Sequence, residues 1–303
     1  MNPGPSMRMK PCASLLLLLA LSWTALGPLE NSLVARSQSS PPALALPNQT
    51  DSFKFAALGD AGTGEPTQYE LADRMAALRE RFKYDVVILL GGNIHGSARP
   101  RDFVNKFEAP YKRLLDGGVV FQAALGDEDS REQRYYKNFN MKGKPYYTLE
   151  PRPGLQFLAL DSSAVAKEQL EWVEGTLKGS TSAWKIVYLH HPLYSSGRGH
   201  GSDPALRTAL EPLFVKYNVS VVLSARDNVY ERTRPQNGIT YFVVGSGGKV
   251  RQGGIDRNSG LTASGFDTDL AFLAAEIAGD QMYFNAISRA GLTVDSGVLA
   301  RRQ

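Results

Sequence analysis

The chain has 303 residues, of which 43% are hydrophobic and 21% charged, so a sizeable folded core can form. Its formal net charge is +4, from 34 Lys and Arg against 30 Asp and Glu. That excess suits a phosphate ester or other anionic small molecule as partner. It gives no ground for nucleic acid, since no dense basic stripe with interleaved aromatics appears.

Arg8 and Lys10 precede an apolar stretch from Ala13 to Leu26, the pattern of a secretory signal peptide, here placed over residues 1–35. The stretch is shorter than the roughly 20 apolar residues that a bilayer crossing needs, so no stable membrane span is expected. A secreted or periplasmic protein follows, with an uncleaved N-terminal membrane anchor as the alternative. The single cysteine, Cys12, falls inside the signal segment, so the mature chain holds together without disulfides. Residues 36–51 are rich in Ser, Pro and Gln with no period, and read as a tether.

One domain is expected over residues 52–303. Phe53–Leu58, Val86–Leu90, Val119–Ala124, Leu155–Leu160, Ile186–Leu189, Ser220–Leu223 and Ile239–Val244 are short apolar runs suited to buried strands. Between them, Thr67–Phe82, Phe103–Leu115, Lys167–Leu177 and Pro204–Tyr217 carry apolar residues at helical spacing. The last third changes character: Leu270–Ile277, Gln281–Ile287 and Thr293–Ala300 read as strands joined by tight turns. Alternating βα units followed by a β-meander predict an α/β fold of two mixed sheets packed face to face, with helices outside.

Five segments each follow a predicted strand: Gly59–Gly62, Gly91–His95, Gly126–Asp129, His190–Pro192 and Ser224–Arg232. Ligands of open α/β sheets bind at the carboxyl ends of strands, where such loops converge. All four histidines, His95, His190, His191 and His200, lie in these loops or beside them.

The order, spacing and flanks of these segments resemble the calcineurin-like metallophosphoesterases, specifically the purple (tartrate-resistant) acid phosphatase branch. Outer stretches such as Lys106–Tyr111, Gln133–Lys137, His191–Gly197 and Phe284–Arg289 extend the resemblance over residues 53–302. The resemblance implies a four-layer sandwich and a pair of metal ions sharing a bridging carboxylate and water, with hydroxide attacking phosphorus in line. It also implies where the ligands should stand. Asp60 and His190 occupy metal positions unchanged. Gly92 stands where the bridging Asp belongs, His95 where a Tyr belongs, Asp127 where an Asn belongs and Glu128 where the catalytic His belongs. Ala225, Arg226 and Asn228 replace the Gly and both His of the last loop.

These replacements predict loss of the family's reaction. Glycine offers no bridge between two dications, and a guanidinium stays charged and donates no lone pair. Arg226 would pair with Asp60, Asp127 or Glu128 and fill the metal's place. No cofactor is then required, and the protein is a pseudo-phosphatase. The alternative is a phosphomonoester hydrolase with one remodelled divalent metal (Zn, Fe or Mn) held by Asp60, His95 and Asn228, with Asp127 and His190 nearby. Glu128 would then act as general acid or base if buried. A third reading is that ligand positions of an active sequence have been altered within an otherwise intact scaffold.

Overall fold

Among the described residues, thirteen strands and five α-helices follow one another in the order β1 Phe53–Leu58, α1 Pro66–Phe82, β2 Val86–Leu90, α2 Pro100–Phe103, α3 Lys112–Asp116, β3 Val120–Ala124, β4 Tyr147–Arg152, β5 Leu155–Ala159, α4 Lys167–Gly179, β6 Trp184–Tyr188, α5 Pro204–Lys216, β7 Val221–Ser224, β8 Tyr230–Thr233, β9 Thr240–Val244, β10 Thr262–Phe266, β11 Ala271–Ala278, β12 Gln281–Ser288 and β13 Thr293–Ala300. This computed structural model describes residues 46–96 and 98–303, which lie within one compact unit, Pro41–Gln303. The signal peptide expected over residues 1–35, and most of the tether, lie outside the described residues.

The strands form two mixed sheets. The first has six strands in the order β13-β12-β11-β1-β2-β3, and the second seven in the order β10-β8-β9-β7-β6-β5-β4. In the first, β1, β2 and β3 run parallel, and the C-terminal meander joins through the antiparallel β1–β11 pair. In the second, β5, β6, β7 and β9 run parallel. The predicted α/β fold of two mixed sheets is therefore the fold observed.

Alternation along the second sheet divides the core into two. Phe157, Ile186, Tyr188, Leu223 and Phe242 join the core shared with the first sheet. Their neighbours Leu158, Val187, Leu189, Val222 and Tyr241 point the other way, onto Val173, Leu177, Leu210 and Phe214 of α4 and α5. The period-2 pleat makes this sorting automatic, and each buried side chain contributes about 2 kcal/mol. Both faces of the central strands are covered, which is why they read as continuous apolar runs.

Two departures from the sequence reading have local causes. The helix expected over Phe103–Leu115 is broken into α2, a π-helical turn at Val104–Glu108 and α3. Pro110 sits at the break and cannot supply an N–H to continue it. Strands β4, β8 and β10 were not foreseen. β4 is an edge strand containing Pro151, with a register shift between Leu149 and Arg152, a pattern tolerated only at an edge. Residues 46–51, the described part of the tether, are held down: the fully buried Glu276 carboxylate accepts the backbone N–H groups of Asn48 and Gln49, each at 2.6 Å.

Candidate functional site

The parallel strands of both sheets end on the same side, and their loops are tied together through the backbone. Gly59 N–H donates to the Val244 carbonyl at 2.7 Å, Asp60 N–H to Gly91 at 2.8 Å, and Ala225 N–H to His190 at 3.0 Å. The loops after β2 and β3 are joined by one carboxylate. Asp129, buried, accepts from the backbone of Asn93, Ile94 and Gly126 and from the side chains of Asn93 and Gln133, at 2.9 to 3.1 Å for the shortest contact of each. Charge-assisted bonds of this kind fix loop geometry.

Eight of the positions singled out in the sequence border one cleft of about 70 Å³: Asp60, Gly92, His95, Asp127, Glu128, His190, Arg226 and Asn228, with His191 and Ala225 outside its lining. At its centre is an ion-pair network. Arg226 donates to Asp127 Oδ2 from Nη2 at 2.9 Å and from Nε at 3.2 Å. The other oxygen of Asp127 faces His190 Nε2 at 3.1 Å, and His191 Nε2 lies 3.7 Å from Oδ2. The hydrogen bond from His190, with the charges of His190 and Arg226, holds the Asp127 carboxyl well below the usual range.

His190 Nδ1 donates to the Leu90 carbonyl at 2.9 Å, which turns Nε2 toward Asp127. Burial disfavours its charge, but the nearby Asp60 carboxylate and the Asp127 hydrogen bond outweigh that and push its pKa up to about 9. His191 goes the other way. Burial and the neighbouring His190 and Arg226 charges lower it to about 4, so it is neutral at pH 7. The Ser162 hydroxyl accepts the backbone N–H groups of His190 and His191, so its own proton goes to His191 Nδ1 at 2.8 Å. That bond leaves the ring proton on Nε2, aimed at Asp127.

Asp60 is buried, which raises its pKa against the charges of His190 and His95, and it accepts the Arg226 backbone N–H at 2.8 Å. Arg226 itself has φ of 72°, a left-handed backbone uncommon outside glycine. Gly92, with φ of 64°, is packed hard against Asp60. A Cβ there would lie 2.4 Å from Asp60 Oδ1 and 2.7 Å from Asp60 Cα. In this loop conformation no side chain fits at position 92.

The remaining candidates are peripheral. His95 Nδ1 lies 3.3 Å from Glu128 Oε2 and 3.4 Å from Lys249 Nζ, while its Nε2 is buried without a partner. Glu128 is 69% exposed, so the burial that a general-acid role would require is absent. Asn228 donates its amide to the Gly245 carbonyl at 3.3 Å. His200 also borders the cleft. Lys249, in the glycine-rich loop after β9, was missed. Its signal was a post-strand Gly245-Ser246-Gly247-Gly248 run, which carries no ligand type of its own.

A dinuclear metal centre does not fit this donor set. Gly92 provides no bridge, both Asp127 oxygens are engaged by cationic side chains, and Arg226 occupies an imidazole's place. Among the described residues no group of three or more His, Cys, Asp or Glu is arranged to hold a metal ion.

The sequence model of calcineurin-like phosphoesterases matches residues 53–225. The chain belongs to the calcineurin-like phosphoesterase family. Within this family of metal-dependent phosphoesterases its likeness is to purple acid phosphatases. It is 24% identical to purple acid phosphatase 17 of Arabidopsis thaliana over 293 residues, covering 84% of each chain. Against purple acid phosphatase 1 of Ipomoea batatas it is 32% identical over 218 residues, 63% of this chain but only 45% of that one. The fold is shared with GAP50, the anchor in the inner membrane complex of Plasmodium, at a TM-score of 0.73 and 18% identity, covering 83% of this chain and 90% of that one. It is also shared with purple acid phosphatase PPD1 from yellow lupin seeds, at a TM-score of 0.71 and 19% identity, covering 84% and 55%. Among the described residues no helix is long and apolar enough to cross a membrane.

Proposed function

We propose that this phosphoesterase-family chain is an exported pseudo-phosphatase, in which an internal ion-pair network replaces the hydrolytic metal centre. The observation that carries this reading is the engagement of both Asp127 oxygens, one by Arg226 and the other by His190. A carboxylate whose two oxygens already accept from cationic side chains is a poorer metal ligand, and the fixed charge of Arg226 opposes a dication beside it. Export rests on the basic-then-apolar N-terminus. A binding or holding role follows for the scaffold. The Plasmodium neighbour of the same fold, described as an anchor, is a precedent for such a role. Lys249, outside the Arg226–Asp127 pair, is the side chain that would meet an anionic small molecule such as a phosphate ester in this cleft.

A second reading, a hydrolase with one remodelled metal, has the buried and unpartnered His95 Nε2 in its favour. One experiment separates the two. The purified protein is assayed for bound Fe, Zn and Mn and for hydrolysis of p-nitrophenyl phosphate with each ion added. The expected result is substoichiometric metal and no turnover above buffer. Two metals per chain with ordinary phosphatase turnover would overturn the proposal. One metal with slow turnover, abolished in His95→Ala, would establish the second reading.

A further inference from the structure

A second cleft, sharing no residue with the first, lies at the free edge of the seven-stranded sheet. It holds about 580 Å³, within the range of small-molecule sites, between β4, the segment before it and Trp172 of α4. We propose that it binds an acidic saccharide.

Charge is the first argument. Lys142 and Lys144 line this cleft and no Asp or Glu does, whereas three carboxylates border the first one. The family of ion pairs that neutralises much of the surface does not reach either lysine: among the described residues neither side chain has a hydrogen-bond or ion-pair partner. A concave site of one sign concentrates ligands of the other.

The aromatic lining is the second. Tyr146 and Trp172 pack against each other with ring centroids 4.9 Å apart and planes tilted by 51°. No gap is left between them for a planar base to enter. Both line the cleft, and either ring offers a face against which the apolar side of a pyranose can lie. The Tyr146 hydroxyl and the Trp172 indole N–H also lack protein partners among the described residues. Such side chains join an apolar body to a polar tip, which matches a sugar's apolar face and hydroxyl rim.

Preorganisation is the third. Asn140 and Lys142 both adopt left-handed backbone, with φ of 55° and 54°, and Gly143 follows at 78°. The segment is nevertheless fixed. Asn140 donates to the Phe121 carbonyl at 2.8 Å, Gly143 N–H to Arg134 at 2.8 Å, and Met141 is buried beneath. A fixed loop in uncommon conformations, with two unpaired cations lining the same cleft as an aromatic pair, is the form of a built site.

The test titrates the full protein with trigalacturonic acid, its methyl ester and ATP, following Trp172 fluorescence and calorimetric heat at low and high salt. Trigalacturonic acid should bind saturably at one site per chain, and weaken with salt. The Lys142→Gln, Lys144→Gln double variant should bind it at least tenfold more weakly with an unchanged melting temperature, because both lysines are exposed. Tyr146→Leu should weaken it similarly while keeping the apolar packing. Should that variant fail to fold, the lysine pair decides the matter alone. Equal binding of the methyl ester, ATP binding in preference to the trisaccharide, or no saccharide binding would each overturn the proposal.

Discussion

Arg226 donates from two nitrogens to a single oxygen of Asp127, and His190 takes the other oxygen. These three side chains come from loops after β7, β3 and β6, so the network joins three strand ends. Removing one partner leaves a charge without compensation. Arg226→Ala should therefore destabilise the protein by about 1–2 kcal/mol in urea denaturation, and Asp127→Ala by a similar amount. The double variant should lose less than the sum, with a coupling of about 1 kcal/mol; both side chains are partly exposed, and solvent screening limits the value. Strict additivity would show that the pair is incidental.

The raised pKa of His190 makes stability depend on pH. Its imidazolium is favoured in the folded protein, so the contribution is fully present below the unfolded pKa near 6.5 and is lost as pH rises through about 9. Asp127 has the opposite sense: its contribution is present above about pH 4 and lost on acidification, as the depressed carboxyl is protonated. His191, lowered to about 4, also destabilises the fold as pH falls from about 6.5 toward that value. The unfolding free energy from urea denaturation should fall between pH 7 and 9.5 by no more than about 3 kcal/mol, and His190→Gln should flatten that limb. An NMR titration placing the His190 ring near its unperturbed value would contradict the network.

Much of this was legible in the sequence. The central strands are buried on both faces, so β1 and β2 could be read to the residue from their apolar runs. The edge strands β4 and β10 carry no such signal, and β8, though it lies between β10 and β9, is only four residues long with Glu231 and Arg232 at its centre. Within the site, residue types located the cleft and the pairing of Arg226 with an acidic group. They did not choose Asp127 over Asp60 as its side-chain partner, since that depends on backbone direction at residue 226, where φ is positive. Nor could they show that Glu128 faces solvent or that Asp129 turns inward, because adjacent loop residues differ in direction without a period to mark it.

Asp129 supplies a sharper test of what holds the cleft. Its carboxylate accepts from five groups on two loops, at 7% exposure. Asp129→Ala would leave several buried donors unpaired, and should cost about 3–5 kcal/mol. Asp129→Asn retains the shape but points N–H groups at N–H groups, so it should recover little of that loss. Hydrogen exchange at Asn93, Ile94 and Gly126 should accelerate in both variants. Unchanged exchange would mean that other contacts position these loops.

Rebuilding the family's ligand set is the strongest test of whether ancestry can be reversed at this site. Gly92→Asp, Arg226→His and Asn228→His together restore the bridging carboxylate and the two imidazoles of the phosphatase pattern, leaving His95, Asp127 and Glu128 as they are. On residue types alone the triple variant should take up metal. The backbone opposes it, because any Cβ at position 92 meets the Asp60 main chain at 2.7 Å and must adopt φ of 64°. Gly92→Ala should thus cost about 2–4 kcal/mol, and Gly92→Asp at least as much. The triple variant should bind fewer than two metals per chain by elemental analysis and show no recovered p-nitrophenyl phosphate turnover. A variant carrying only Arg226→His and Asn228→His is the control, since it removes the guanidinium without the steric strain. If the triple variant instead folded stably, bound two metals and turned over substrate, the loop backbone would be shown to yield. The loss of activity would then reside in side chains alone.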